Sequence, residues 1–227
     1  MSGETKGLFW ITKDLDFDDI LHGKISYPQA YLRQNRGWIT AAADILAQDR
    51  AHFDMGIALL SIQLMFFEPH GYYLGGEGMK NRNSRTGQLE WASKKSFKLG
   101  FGRFVDYLRS ADMIDSSITA EELDSIYKWA RCGSMHALTM SSELVINSYN
   151  SDGYVLSKER HNKMLLIDPW KMLLHLKPYL AAYVETVEGT DPISPMRTNF
   201  NYTFDELIIR PGNHFSNIAR ELREGLG

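Results

Sequence analysis

The stretch HFDMGIALLSIQLMFF, residues 52–67, decides the fold of this chain. Its apolar residues run almost all the way round a helix rather than along one stripe. Such a helix lies in the middle of a protein or against a partner subunit. The stretch therefore predicts a central core helix. It is short, and Gly56, Ser61 and Gln63 interrupt it, so it is not expected to span a membrane.

On the amino-terminal side, residues 27–67 contain few helix breakers and predict one or two long helices, with Pro28 in a first turn. The acidic opening KDLDFDDI, residues 13–20, lacks the glycine and terminal glutamate of a calcium loop and reads as a solvated start to the fold. On the carboxyl-terminal side, EPHGYYLGGEG, residues 68–78, predicts the end of the core helix, because Pro69 restricts Glu68 and glycines follow. MKNRNSRTGQLEW, residues 79–91, reads as a polar loop. Phe97, Phe101, Phe104, Val105 and Leu108 then recur at helical intervals, which predicts a helix over 93–108 despite Gly100 and Gly102.

Thr119 followed three residues later by Glu122 matches a capping box, and Leu123, Ile126, Tyr127 and Ala130 continue as an apolar stripe towards Arg131. In ELVINSYNSDGYVLS, residues 143–157, β-branched and aromatic residues flank an Asn-Ser-Asp-Gly turn, which predicts a small hairpin; HNKMLLI, residues 161–167, reads as a further short strand. Asp168 and Pro169 open a helix expected to reach about Glu188 and stop at Gly189, with a kink at Pro178. Residues 190–211 read as a turn-rich tail and 213–224 as a last short helix. No repeat or linker divides the chain. The expectation is one domain over residues 1–227, a mostly α-helical bundle with a small β-hairpin.

Charge and cysteine content narrow the function. The chain carries 25 basic and 28 acidic residues, a formal net charge of -3, so any nucleic-acid role must rest on a local patch. A single cysteine, Cys132, excludes an intramolecular disulfide and fits a reducing compartment. MSGETKGLFW lacks a basic start followed by a signal-type apolar run, so the expectation is a cytoplasmic protein that does not cross a membrane.

The chemistry-bearing stretch is KWARCGSMHALT, residues 128–139. On an unbroken helix Arg131 and His136 would stand about 140° apart and about 7.5 Å along the axis, so they would not share a face. A helix end or bend at Gly133 is what would turn both towards one cleft. The plainer reading makes Arg131 a helix cap and His136 a cation beside a helix carboxyl terminus.

The run Arg131, Cys132, Gly133, Ser134, Met135, His136 resembles the R-x4-H motif of the HEPN superfamily. WARCGSMH with a hairpin and another long helix after it is also similar to a bacterial HEPN-like group in which an RCG-x-x-H stretch recurs, a likeness covering about residues 53–187. The resemblance implies a homodimer whose motif helices meet in a composite cleft that cuts single-stranded RNA without a metal or other cofactor. By position, Arg131 would hold the scissile phosphate and His136 would transfer protons as the ribose 2′-hydroxyl attacks. A guanidinium suits phosphate oxygens, and imidazole titrates near working pH.

Lys94, Lys95, Lys98, Arg82 and Arg85, with Lys80, surround the polar loop and the next helix start. Interleaved with Trp91 and Phe97, they suit an RNA backbone and a stacked base; the plainer reading is a solvated loop. Active members of the superfamily often carry Asn, Asp or His where Cys132 stands, and silent members act as interaction domains. The alternative is therefore a catalytically inactive helical dimer that binds RNA, a nucleotide or a protein partner such as an antitoxin in a stress or defence pathway. A third reading is an unrelated helical enzyme using His52, Glu68 or His70. Neither His52 with Asp54 nor Glu68 with His70 has the spacing of a zinc site, so no metal is expected. LGGEGMK, residues 74–80, lacks the preceding strand and the Lys-Ser/Thr of a phosphate-binding loop.

Overall fold

The computed structural model describes residues 10–12, 15–49, 53–128, 144–146, 153–159 and 164–211. An antiparallel pair, β1 (Trp10–Thr12) and β2 (Leu15–Asp16), leads into a short helix α1 (Phe17–Leu21). Helix α2 (Tyr27–Asn35) starts where sequence chemistry says it should. Ser26 caps it by accepting from the Gln29 amide, and Pro28 sits in the first turn. Ser26 and Gln29 also donate to the two carboxylate oxygens of Glu188, at 2.6 and 2.7 Å. A wider turn over Arg36–Thr40 carries α2 into α3 (Ala41–Ala47).

Helix α4 (Phe53–Gly75) is the predicted central helix. Leu59, Leu60, Leu64, Phe66 and Phe67 are almost completely buried in it. It passes Pro69 and ends at Gly75, within the predicted stretch 68–78. Pro69 and Met65, one turn earlier, both lie on the exposed stripe, so the carbonyl that loses its amide partner is on the solvent side. The helix stops instead where Gly76 takes φ +55°, a left-handed conformation that a residue with a Cβ adopts only with strain.

Residues 79–91 correct an expectation. They form not a loop but an antiparallel hairpin, β3 (Lys80–Arg82) with β4 (Leu89–Trp91), Asn81 opposite Glu90. Asn83 organises its turn by accepting from the amides of Arg85 and Thr86. Helix α5 (Ser93–Ser110) then returns antiparallel along α4, as the 93–108 periodicity predicted. The two backbones come unusually close. A Cβ on Gly71 would stand 1.8 Å from the Ser96 carbonyl oxygen, and one on Gly100 would stand 2.1 Å from the Phe67 carbonyl oxygen.

Helix α6 (Ala120–Ile126) begins with the predicted reciprocal capping box of Thr119 and Glu122. The strands that follow, β5 (Leu144–Ile146), β6 (Leu156–Lys158) and β7 (Leu165–Ile167), are ordered β5-β7-β6. The hairpin is thus β6 with β7. β5, expected to pair with the segment just after it, pairs in parallel with β7 instead.

Asp168 caps α7 (Pro169–Gly189) by accepting from the amides of Trp170 and Lys171, and Pro178 lies inside that helix. The segment expected to be a turn-rich tail contains α8 (Pro195–Phe204), capped by Ser194 and continued by a wider turn over Asp205–Ile209. Phe200 and Phe204, one turn apart, are buried against the bundle, and that burial outweighs the modest helix propensity of its asparagines and threonines. α4 therefore has α3, α5, α7 and α8 around it, and the described elements share one apolar core. The predicted mostly helical bundle with a minor β element is what the chain forms. No helix among the described residues is long and apolar enough to cross a membrane.

Candidate nucleic-acid interface

Arg131, Cys132 and His136 lie outside the described residues, as do His52 and the segment 213–224. The basic residues singled out beside them are described. The structure brings together three of the five. Lys94, Lys95 and Lys98 line an open depression of about 560 Å³ with Asn81, Ala92 and Ser93, where β3 meets the start of α5.

The positions follow from helical spacing. Lys94 and Lys98 are one turn apart, and Lys95 is beside them, so the first two turns of α5 present one cationic face. That end has no side-chain cap and no acidic residue in its first turn. The positive end of the helix dipole adds to the lysine charge, while the Glu68 carboxylate bonded to Ser93 at the same end offsets part of it. An anion at this place would meet the lysines and the dipole together.

Two of the three lysines are held in place. Lys95 donates to the Gly78 carbonyl at 2.8 Å, and Lys98 pairs with Asp124 of α6. Ser93 donates to Glu68 at 2.6 Å, and its hydroxyl lies 3.4 Å from that of Tyr127. The lysine depression is therefore bordered by Asp124 and Tyr127. The sequence reaches Arg131 four residues after Tyr127.

Arg82 and Arg85 do not join this depression. Both are exposed on the hairpin, where Arg82 donates to the Gly87 carbonyl at 2.7 Å. Lys80 is used within the fold. Its ammonium bonds Glu206 at 2.6 Å and sits 4.9 Å from the ring centre of Trp91 and 5.1 Å from that of Tyr202. Burial lowers the Lys80 pKa, but the hydrogen bonds to Glu206 and Tyr202 outweigh it and the net shift is upward. The hydrogen bond from Lys80 in turn lowers the Glu206 carboxyl.

The aromatic half of the expected interface needs correcting. Phe97 is a core residue, 1% exposed and packed on Phe67, Phe101 and Tyr127, so it cannot stack a base. Trp91 is half-buried against Tyr72, with ring centres 4.6 Å apart. Ser93, Asn81 and Tyr127, which complete the surroundings of the lysines, carried no signal in sequence because the hairpin and α6 had to be placed first.

Glu68 and His70 do not form a site together. Glu68 accepts from Tyr72 and Ser93 at the surface side of α4. His70 is completely buried, its Nδ1 2.9 Å from the Tyr31 hydroxyl and its Nε2 2.7 Å from the Tyr179 hydroxyl. Burial lowers its pKa to about 3, so the ring is neutral near pH 7. Among the described residues, no group of three or more His, Cys, Asp or Glu could hold a metal ion.

Comparison with known protein families, curated proteins and solved structures finds no match. The reading of this surface accordingly stands on its geometry and on the Arg131–His136 pattern.

Proposed function

We propose that this protein is a metal-independent endoribonuclease of HEPN type that binds single-stranded RNA through the lysine depression and cuts it with Arg131 and His136, working as a homodimer. The observation that carries the reading is the cationic face of Lys94, Lys95 and Lys98, bordered by the helix that leads in sequence into the motif. A chain of net charge -3 has few ways to attract a polyanion, and a local patch of lysines at a helix amino terminus is one of them. In the reaction, His136 takes the proton of the ribose 2′-hydroxyl as that oxygen attacks the phosphorus. Arg131 neutralises the phosphate, and the departing 5′-oxygen is reprotonated by the partner's proton-transfer group. The products are a 2′,3′-cyclic phosphate and a 5′-hydroxyl.

The test is an RNA cleavage and binding assay in EDTA with wild type, His136→Ala and the double variant Lys94→Gln/Lys95→Gln. Cleavage by His136→Ala should fall by at least about a hundredfold with RNA binding retained, the scale of losing a general acid–base group. The lysine variant should bind more weakly, and its log–log salt slope should be shallower by roughly 1.4, as expected when two phosphate contacts to a single strand are lost. Unchanged binding by the lysine variant counts against this surface. Binding without turnover in every protein would instead make the chain a silent RNA-binding module.

A further inference from the structure

A second cavity, on a different face of α5, has a composition unlike the lysine depression. It is a groove of about 550 Å³ between α5, α7 and α8, a size usual for small-molecule sites. Leu74, Leu99 and Met196 form its apolar walls, and Tyr107, Tyr179 and Tyr183 supply its aromatic surface. The rings of Tyr107 and Tyr179 are 5.5 Å apart and inclined at 55°, so they form an angled wall and not a flat one. Arg103 and Asp106 stand on the rim.

The polar groups differ in whether they are already used. Thr186 donates to the Ala182 carbonyl and Asn199 to the Leu74 carbonyl, so both are occupied within the fold. The Tyr179 hydroxyl bonds His70, which fixes that ring from behind. Asp106 has Arg109 at 3.5 Å. Arg103 forms no ion pair among the described residues. Tyr183 is 7% exposed, and its hydroxyl is buried with no hydrogen-bond partner among the described residues. A buried hydroxyl left without a partner is costly, and one beside a cavity suits a ligand atom.

We propose that this groove binds a small molecule made of a planar aromatic ring and an acidic group. The ring lies against Tyr107, Tyr179 and Tyr183 between the apolar walls. The acid meets the Arg103 guanidinium at the rim. Tyrosine edges and faces favour a flat ring over an alkyl chain of equal size, and an arginine with no ion-pair partner among the described residues favours a carboxylate or phosphate over a neutral head. This site does not depend on the RNA reading, since it shares no residue with the lysine depression.

Three probes separate ring from charge in calorimetric titration of the full chain: indole-3-acetate, indole-3-acetamide and hexanoate. Indole-3-acetate should bind best, and Arg103→Gln should weaken it about fivefold while leaving the amide unchanged, because the rim charge is solvent-screened. Asp106→Asn should shift affinity the other way, about twofold tighter, by removing a like charge. Met196→Trp should fill the groove and abolish binding of all three. Arg103 is at the surface, so its variant reports on binding even where the Met196 substitution disturbs folding. Absence of indole-3-acetate binding overturns the proposal. Equal binding of hexanoate overturns the aromatic assignment, and weaker binding by Asp106→Asn overturns the acidic one.

Discussion

Gly100→Ala is expected to destabilise the protein by about 3 kcal/mol or more, lowering the thermal midpoint by roughly 6–12 °C for a chain of this size. The reason is the approach of α5 to α4. The new methyl carbon would meet the Phe67 carbonyl oxygen at 2.1 Å, and the obstacle is backbone, which no rotamer change can move aside. Relief requires the helices to part by more than an ångström, and parting would open the layer of Phe67, Phe97, Phe101 and Phe104 between them. Gly71→Ala should behave alike, its methyl group being 1.8 Å from the Ser96 carbonyl oxygen. The control lies two residues away on the same helix. Among the described residues nothing lies within 4 Å of a Cβ on Gly102, so Gly102→Ala should stabilise by about 0.5–1 kcal/mol through helix propensity alone. Opposite signs at positions 100 and 102, measured by urea unfolding, are the expected result; a Gly100→Ala protein as stable as wild type would mean that the helices are not in contact there.

These glycines also show which parts of the fold are legible in the sequence. Within residues 93–108 the phenylalanine spacing announced a helix, while Gly100 and Gly102 looked like two equal liabilities. Only the partner helix distinguishes them. Local signals were reliable where the chemistry is local: Pro28, Thr119 with Glu122, and Asp168 with Pro169 each mark a helix start that the structure shows. Signals failed where the deciding contact is distant. The end of α4 falls in the predicted stretch 68–78, but Pro69 does not set it, because its stripe of the helix faces outward. β5 pairs with β7, about 20 residues on, because parallel pairing needs a long crossover that no short-range pattern encodes. α8 exists because Phe200 and Phe204 find a core, although PMRTNFNYTF is a poor helix on propensity.

The site was legible to the same extent. Lys94, Lys95 and Lys98 were identifiable as one group because they share two helical turns. Lys80 was not separable from them in sequence, yet its partner Glu206 is 126 residues away and takes it out of the basic surface. Phe97 looked like a base-stacking neighbour and is a core residue, since a phenylalanine at helical spacing more often faces inward than out. The groove of Tyr107, Tyr179 and Tyr183 had no sequence signature for that reason: tyrosines on apolar helix faces look like ordinary core residues until the space beside them is seen.

Acidification from pH 7 to pH 5 is expected to cost the folded protein about 2 kcal/mol through His70 alone. The folded-state pKa is lowered to about 3 by complete burial, against 6.5 for the ordinary side chain. The unfolded chain therefore takes up a proton below pH 6.5 that the native state refuses until about pH 3, so stability rises with pH through that window and falls as pH drops. The neutral ring suits its place. One nitrogen accepts and the other donates, and the Tyr31 and Tyr179 hydroxyls supply the complementary roles at 2.9 and 2.7 Å. A charged ring would need acceptors on both sides within a layer of Phe66, Tyr73 and Tyr183. His175, also lowered by burial, adds a smaller effect of the same sign. The lowered carboxyls of Glu122, Glu206 and Asp115 start from ordinary values of 4.5 and 3.8, so their losses come mainly at lower pH and leave the range from 5 to 7 to histidine. His70→Gln is the discriminating variant. It should be less stable than wild type at pH 7, because the two tyrosine hydroxyls lose well-placed partners, yet its urea midpoint should change far less between pH 7 and 5. If wild type and His70→Gln lose stability in parallel across that range, the histidine takes up its proton as readily in the folded as in the unfolded state and the buried Tyr31–His70–Tyr179 chain is not as described.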